Sequence, residues 1–121
     1  MAIMVVAALL PECVHDSGQQ IVDGVYRASS SRETLTVMGK SITLHLNATK
    51  GPQVGMLSGT YPYEVLTNHE LHFSASSNDS FFVFTVLDYK WLWDGKDIIR
   101  RHGSTGDVET FSRQMTSGES E

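Results

Sequence analysis

Residues 33–47 read ETLTVMGKSITLHLN, and this stretch decides the fold. Apolar and polar residues alternate on both sides of Gly39-Lys40, the period-two pattern of strands with one buried face. A two-residue loop at Gly39-Lys40 pairs Met38 with Ser41, Val37 with Ile42 and Leu35 with Leu44. In that register Leu35, Val37, Ile42, Leu44 and Leu46 share one face, while Thr34, Thr36, Thr43 and His45 share the other. A slip of one residue would scatter the apolar set, so the pairing is tightly specified. Gly39 supplies the positive φ that a tight hairpin turn needs. One dry face and one wet face belong to an antiparallel sheet.

The pattern continues outward in both directions. Ile21 to Ala28 (IVDGVYRA) reads as the preceding strand. Val54 to Leu66 reads as a long strand interrupted by Gly59 and Pro62. A proline cannot donate to a ladder, so Pro62 marks a bulge, a bend or an edge. Thr67-Asn68-His69 is a three-residue turn, and the returning Glu70 to Ala75 pairs Val65 with Leu71, Tyr63 with Phe73 and Tyr61 with Ala75. Phe81 to Leu87 (FFVFTVL) is apolar on both faces and is expected to be a central strand. Asp94-Gly95 is expected to be a two-residue turn that sets Trp91 opposite Ile98 and Tyr89 opposite Arg100, with the Arg stacked on the Tyr ring. Val108 to Arg113 is the last strand, and no segment reads as a helix. The sequence therefore predicts an all-β fold, an antiparallel meander of about eight strands closed into a small barrel or a clam-like sandwich.

A chain of 121 residues is long enough for one domain with its own core. Residues 1–20 form an apolar N-terminal segment and polar linker, 21–114 the barrel, and 115–121 a polar tail expected to be disordered. Acidic residues outnumber basic ones 14 to 9, giving a net charge of −5. That balance argues against a nucleic-acid partner, which calls for a clustered positive field. The single cysteine, Cys13, excludes an internal disulfide and a cysteine-based zinc site. Ala2 to Leu10 is too short to span a bilayer but has the length of a signal-peptide core without its positive start. Cys13 follows it as a lipid-bearing cysteine follows a lipoprotein signal, with Pro11 and Glu12 departing from that pattern. One expectation is a signal or lipoprotein remnant, which places the chain in the periplasm or anchored to the outer membrane through lipid on Cys13. The alternative is an N-terminal element packed on the domain of a cytoplasmic protein.

Chemical motifs are absent: no nucleophile elbow, no glycine-rich phosphate loop and no zinc-protease helix. No enzyme activity and no cofactor is expected. His69 and His72 fall on a turn and a strand, where a spacing of three points them apart, so no metal site is expected. The aromatic residues are the more informative set. Tyr61, Tyr63, Phe73, Phe82 and Phe84 are candidate walls of an internal cavity for a small apolar ligand. Tyr89, Trp91 and Trp93 alternate and so form one row, which either closes the core or, facing outward, binds a protein partner.

Gly24-x-Tyr26 in the first strand, the run of hairpins and the late aromatic segment WLWDGKDIIRR together resemble the small lipocalin-like barrel proteins of the bacterial cell envelope. The resemblance covers residues 21–113 and implies a non-enzymatic binding module. LSGTY, with Ser58, Gly59 and Tyr61, is similar to the Ser-Gly loop of periplasmic lysozyme inhibitors, also small single-domain barrels and often lipoproteins. That likeness implies the alternative, a protein-interaction or inhibitor module with a filled core.

Overall fold

The computed structural model of the chain describes residues 15–114. The expectations placed on Cys13, on most of the N-terminal segment and on residues 115–121 lie outside those residues. Eight strands run antiparallel: β1 (Gly24–Ala28), β2 (Thr34–Met38), β3 (Ser41–Ala48), β4 (Gly55–Val65), β5 (Leu71–Phe73), β6 (Lys90–Trp93), β7 (Ile98–His102) and β8 (Val108–Arg113). Their order in the sheet is β5-β4-β3-β2-β1-β8-β7-β6, so the first and last strands pair and the meander curls into a nearly closed barrel.

The β2–β3 hairpin has the register its alternation dictates, from Met38 opposite Ser41 to Leu35 opposite Leu44. Leu35, Val37, Ile42, Leu44 and Leu46 are buried in the core. The two-residue turn holds Gly39 at φ 61°, a conformation that costs glycine nothing. Trp91, Tyr26 and Phe111 are the largest fully buried side chains and fill the barrel's middle. At the end holding the β2–β3 turn, the Tyr63 hydroxyl accepts from the Ile21 N–H at 2.9 Å and donates to the Gly39 carbonyl at 2.8 Å. Burial pushes the phenol of Tyr26 up to about 12.

Three expectations need correction. Phe81 to Leu87 is not a central strand: Ser80–Thr85 forms a short helix, α1. Asp79 caps it, its carboxylate accepting from the Phe82 N–H at 3.0 Å and from the Tyr61 hydroxyl at 2.6 Å. The buried residues Phe82, Thr85 and Val86 follow helical spacing, so the outer residues of the run, Phe84 and Leu87, are left exposed. The β6–β7 loop is also longer than two residues. Asp94 accepts from the N–H groups of both Lys96 and Ile98. The loop therefore closes over four residues, and Trp91 lies opposite Arg101 with Trp93 opposite Ile99. Arg101 rather than Arg100 stacks on Tyr89, its guanidinium 4.9 Å from the ring centre.

The third correction concerns β5. It pairs Val65 with Leu71 and Tyr63 with Phe73 but stops there, so Tyr61 has no partner in Ala75. Ser74 donates its N–H to the Pro62 carbonyl at 3.0 Å. Pro62 has no N–H to return that bond, and the ladder ends.

Replacing Asp79 by Ala removes the helix cap and the acceptor for Tyr61 together. We expect a loss of about 2 kcal/mol in urea unfolding, with Asp79→Asn, which keeps the cap, losing less.

Candidate functional site

The loops β1–β2, β3–β4 and β7–β8 and the α1 connection all lie at one end of the barrel, because β1, β3, β5 and β7 end there. Among the cavities that open at this end, two of about 230 and 240 Å³ have Tyr89 in their walls.

The first lies along the seam between β5 and β6, the two ends of the sheet order. A single bridge, Glu70 to Leu92, joins these strands, supported by the Trp93 N–H donating to the His69 carbonyl at 3.0 Å. Beyond it the strands part. Phe82 of α1 and Val86 and Leu87 at its exit enter the wall of the gap, and the Trp91 indole N–H ties this exit to β6 by donating to the Val86 carbonyl at 3.0 Å. What remains is a half-open cavity of about 230 Å³ whose walls are Leu71, Phe73, Phe82, Val86, Leu87 and Trp91. Phe73 meets Trp91 edge to face at 5.8 Å. Glu70 and His72 supply the polar edge, 3.7 Å apart.

The second cavity is the barrel's mouth, about 240 Å³, and its character is different. The Arg101 guanidinium binds Glu33 with both terminal nitrogens, at 2.9 and 3.2 Å. Glu33 also accepts from the Asn47 N–H and the Ser31 hydroxyl. Burial pushes the Glu33 carboxyl up, but these bonds outweigh it and hold it below the usual carboxylate range. Glu109, opposite Arg101 on β8, accepts from the N–H and hydroxyl groups of Ser29 and Ser30. Burial raises it too, and the serine bonds bring it below its ordinary value. Both carboxylates are therefore ionised, and they pin the β1–β2 loop down onto β3, β7 and β8.

The aromatic residues singled out in the sequence divide among these places. Phe73 and Phe82 line the seam, as do Tyr89 and Trp91 of the alternating row. Phe84 lies over Gly51 and lines the mouth. Tyr61 packs on Phe82 at 5.0 Å and Tyr63 lies at the opposite end, so the five expected cavity residues do not surround one space. The row Tyr89, Trp91, Trp93 points inward, with Trp91 and Trp93 buried and Tyr89 half-buried. Glu33, Arg101 and Glu109 escaped sequence reading. Arg101 and Glu33 are 68 residues apart, and no local pattern announces their meeting.

Among the described residues, no three His, Cys, Asp or Glu side chains gather in a metal-binding arrangement, and no helix is long and apolar enough to cross a membrane. Compared with protein-family models, curated proteins and solved structures, the chain matches none.

Arg101→Met leaves Glu33 buried without its counter-charge and should cost about 3 kcal/mol at pH 7 by urea unfolding. Because Glu33 and Glu109 are held below 4.5 in the fold, their stabilisation is complete above that value and falls away as pH drops through the folded values. The wild-type protein should lose stability steeply below about pH 4, and its advantage over the Met variant should shrink there.

Proposed function

We propose that this chain is a non-enzymatic binding module that holds a small apolar molecule in the seam between β5 and β6. The observation that carries this reading is the half-open cavity of about 230 Å³, walled by Leu71, Phe73, Phe82, Val86, Leu87 and Trp91. Its volume lies just under the ~300 Å³ at which sites for drug-sized ligands begin, so its occupant is a single ring or a short branched chain. An apolar molecule entering it takes aromatic contacts from Phe73 and Trp91 at once, with no ordering of the strands required.

The absence of poised acid–base chemistry supports binding rather than turnover. The two buried carboxylates of the barrel, Glu33 and Glu109, are ionised and occupied by donors. Neither holds the proton a general acid needs at neutral pH. The seam itself carries only the rim pair Glu70 and His72. A partner-binding role for the row Tyr89, Trp91 and Trp93 is the weaker reading, because two of its three rings are inside the core. A place in the bacterial cell envelope remains part of the proposal through the resemblance to lipocalin-like barrels.

Titration of the isotope-labelled protein with indole and with p-cresol tests this. Amide shifts should concentrate at Leu71, Phe73, Leu87 and Trp91. Leu87→Asp, at an exposed rim position, should weaken both probes about tenfold with the fold intact. Shifts confined to the outer strand faces, or none at millimolar probe, would overturn the reading.

A further inference from the structure

We propose that the mouth is a second, separate binding site, one that takes a small neutral hydroxylated ring such as a monosaccharide. It shares Tyr89 with the seam but is built from other residues, and its reading does not rest on what fills the seam.

The geometry of Arg101 is the starting point. A guanidinium has five N–H donors. Two of them go to Glu33, and the remaining three find no acceptor among the described residues. Their position is fixed: Arg101 is only 15% exposed, and its guanidinium lies 4.9 to 5.7 Å from the ring centres of Tyr89, Phe111 and Trp91. A donor set immobilised in this way loses little entropy when an acceptor arrives.

Charge decides what kind of acceptor. Glu33 neutralises Arg101, and Glu109 beside them adds a negative charge that no cation balances within the site. An anion would meet net repulsion here. A cation would find both carboxylates already saturated by Arg101, serine and backbone donors. What the lining offers is a mixture of donors and acceptors: the Arg101 N–H groups donate, the Thr49 hydroxyl does both, and the Ser31 oxygen, whose proton goes to Glu33, accepts. Hydroxyl groups match such a mixture because each donates and accepts.

Shape points the same way. The cavity of about 240 Å³ is roughly half open, and a second lobe of about 190 Å³ adjoins it across Tyr89, Arg101 and Glu109. Each lobe is below the ~300 Å³ typical of larger ligands, so each suits one ring. Phe84, 37% exposed, stands in the wall, where its aromatic face can cover the C–H side of a sugar ring. A ligand with polar edges and an apolar face thus meets a site with polar groups and an aromatic wall.

The test is an NMR titration with three ring-matched probes: methyl glucoside, which is neutral, glucuronate and glucosamine. The neutral sugar should move the Arg101 Nε–H and Thr49 signals and bind best. Thr49→Val, at an exposed side chain, should weaken it about fivefold, the loss of one hydrogen bond, while Leu87→Asp at the seam leaves it unchanged. Preferential binding of glucuronate or glucosamine would overturn the proposal. So would the absence of any shift at Arg101 with the neutral sugar, or equal binding by wild type and the Thr49→Val variant.

Discussion

The missing ladder between β5 and β6, the two ends of the sheet order, sets the shape of this molecule. Pro62 accepts one bond from Ser74 and can return none, so β5 ends at Phe73 after three residues. From the Glu70–Leu92 bridge, Leu71 and His72 come opposite Trp91 and Lys90, yet these residues form no ladder. The chain crosses from β5 to β6 through α1, and a single bridge joins the two sheet ends. The seam and its cavity lie where these facing segments run side by side without pairing. Elsewhere the ladder is continuous, with β1 on β8 closing the other side.

The two halves of the barrel are held by different physics. Around the middle, Leu35, Val37, Ile42, Leu44, Tyr26, Trp91 and Phe111 exclude water completely. At the mouth, the contacts are ionic and hydrogen-bonded. Glu33 receives Arg101, Asn47 and Ser31, and Glu109 receives Ser29 and Ser30, so the β1–β2 loop, β3, β7 and β8 converge on two carboxylates. A network of this kind fixes one arrangement of the loops, because every buried oxygen loses a partner in any other. Tyr89 is the hinge between these regions, stacked under Arg101 on one side and open to the apolar seam on the other.

Much of the fold was legible because period-two patterning is local. Residues 33–47 carry their register in the alternation itself, and Val108–Arg113 has the bounds its sequence implies. Phe81 to Leu87 misled because a short apolar run fits a strand or a buried helical turn equally well. The deciding signal was Asp79 ahead of the run, with Phe82, Thr85 and Val86 at helical spacing behind it. Asp94-Gly95 misled because Asp94 spends its side chain on two later N–H groups and so lengthens the turn. In the candidate sites, Phe73, Phe82, Tyr89 and Trp91 could be singled out as large rings on a strand-rich chain. Glu33, Arg101 and Glu109 could not, since each reads as a surface charge until strands far apart in sequence are folded together.

Amide hydrogen exchange tests most directly whether the barrel is open along one side. The bonds from Ser74 to Pro62 and from Asp94 to Ile98 fix which amides point into the seam, namely those of Phe73 and Trp91. They should exchange far faster than those of Leu35, Leu44 and Phe111, which lie in strands paired on both sides. Protection of Phe73 and Trp91 equal to that of the paired strands would mean a continuous β5–β6 ladder, and would contradict the seam on which this account rests.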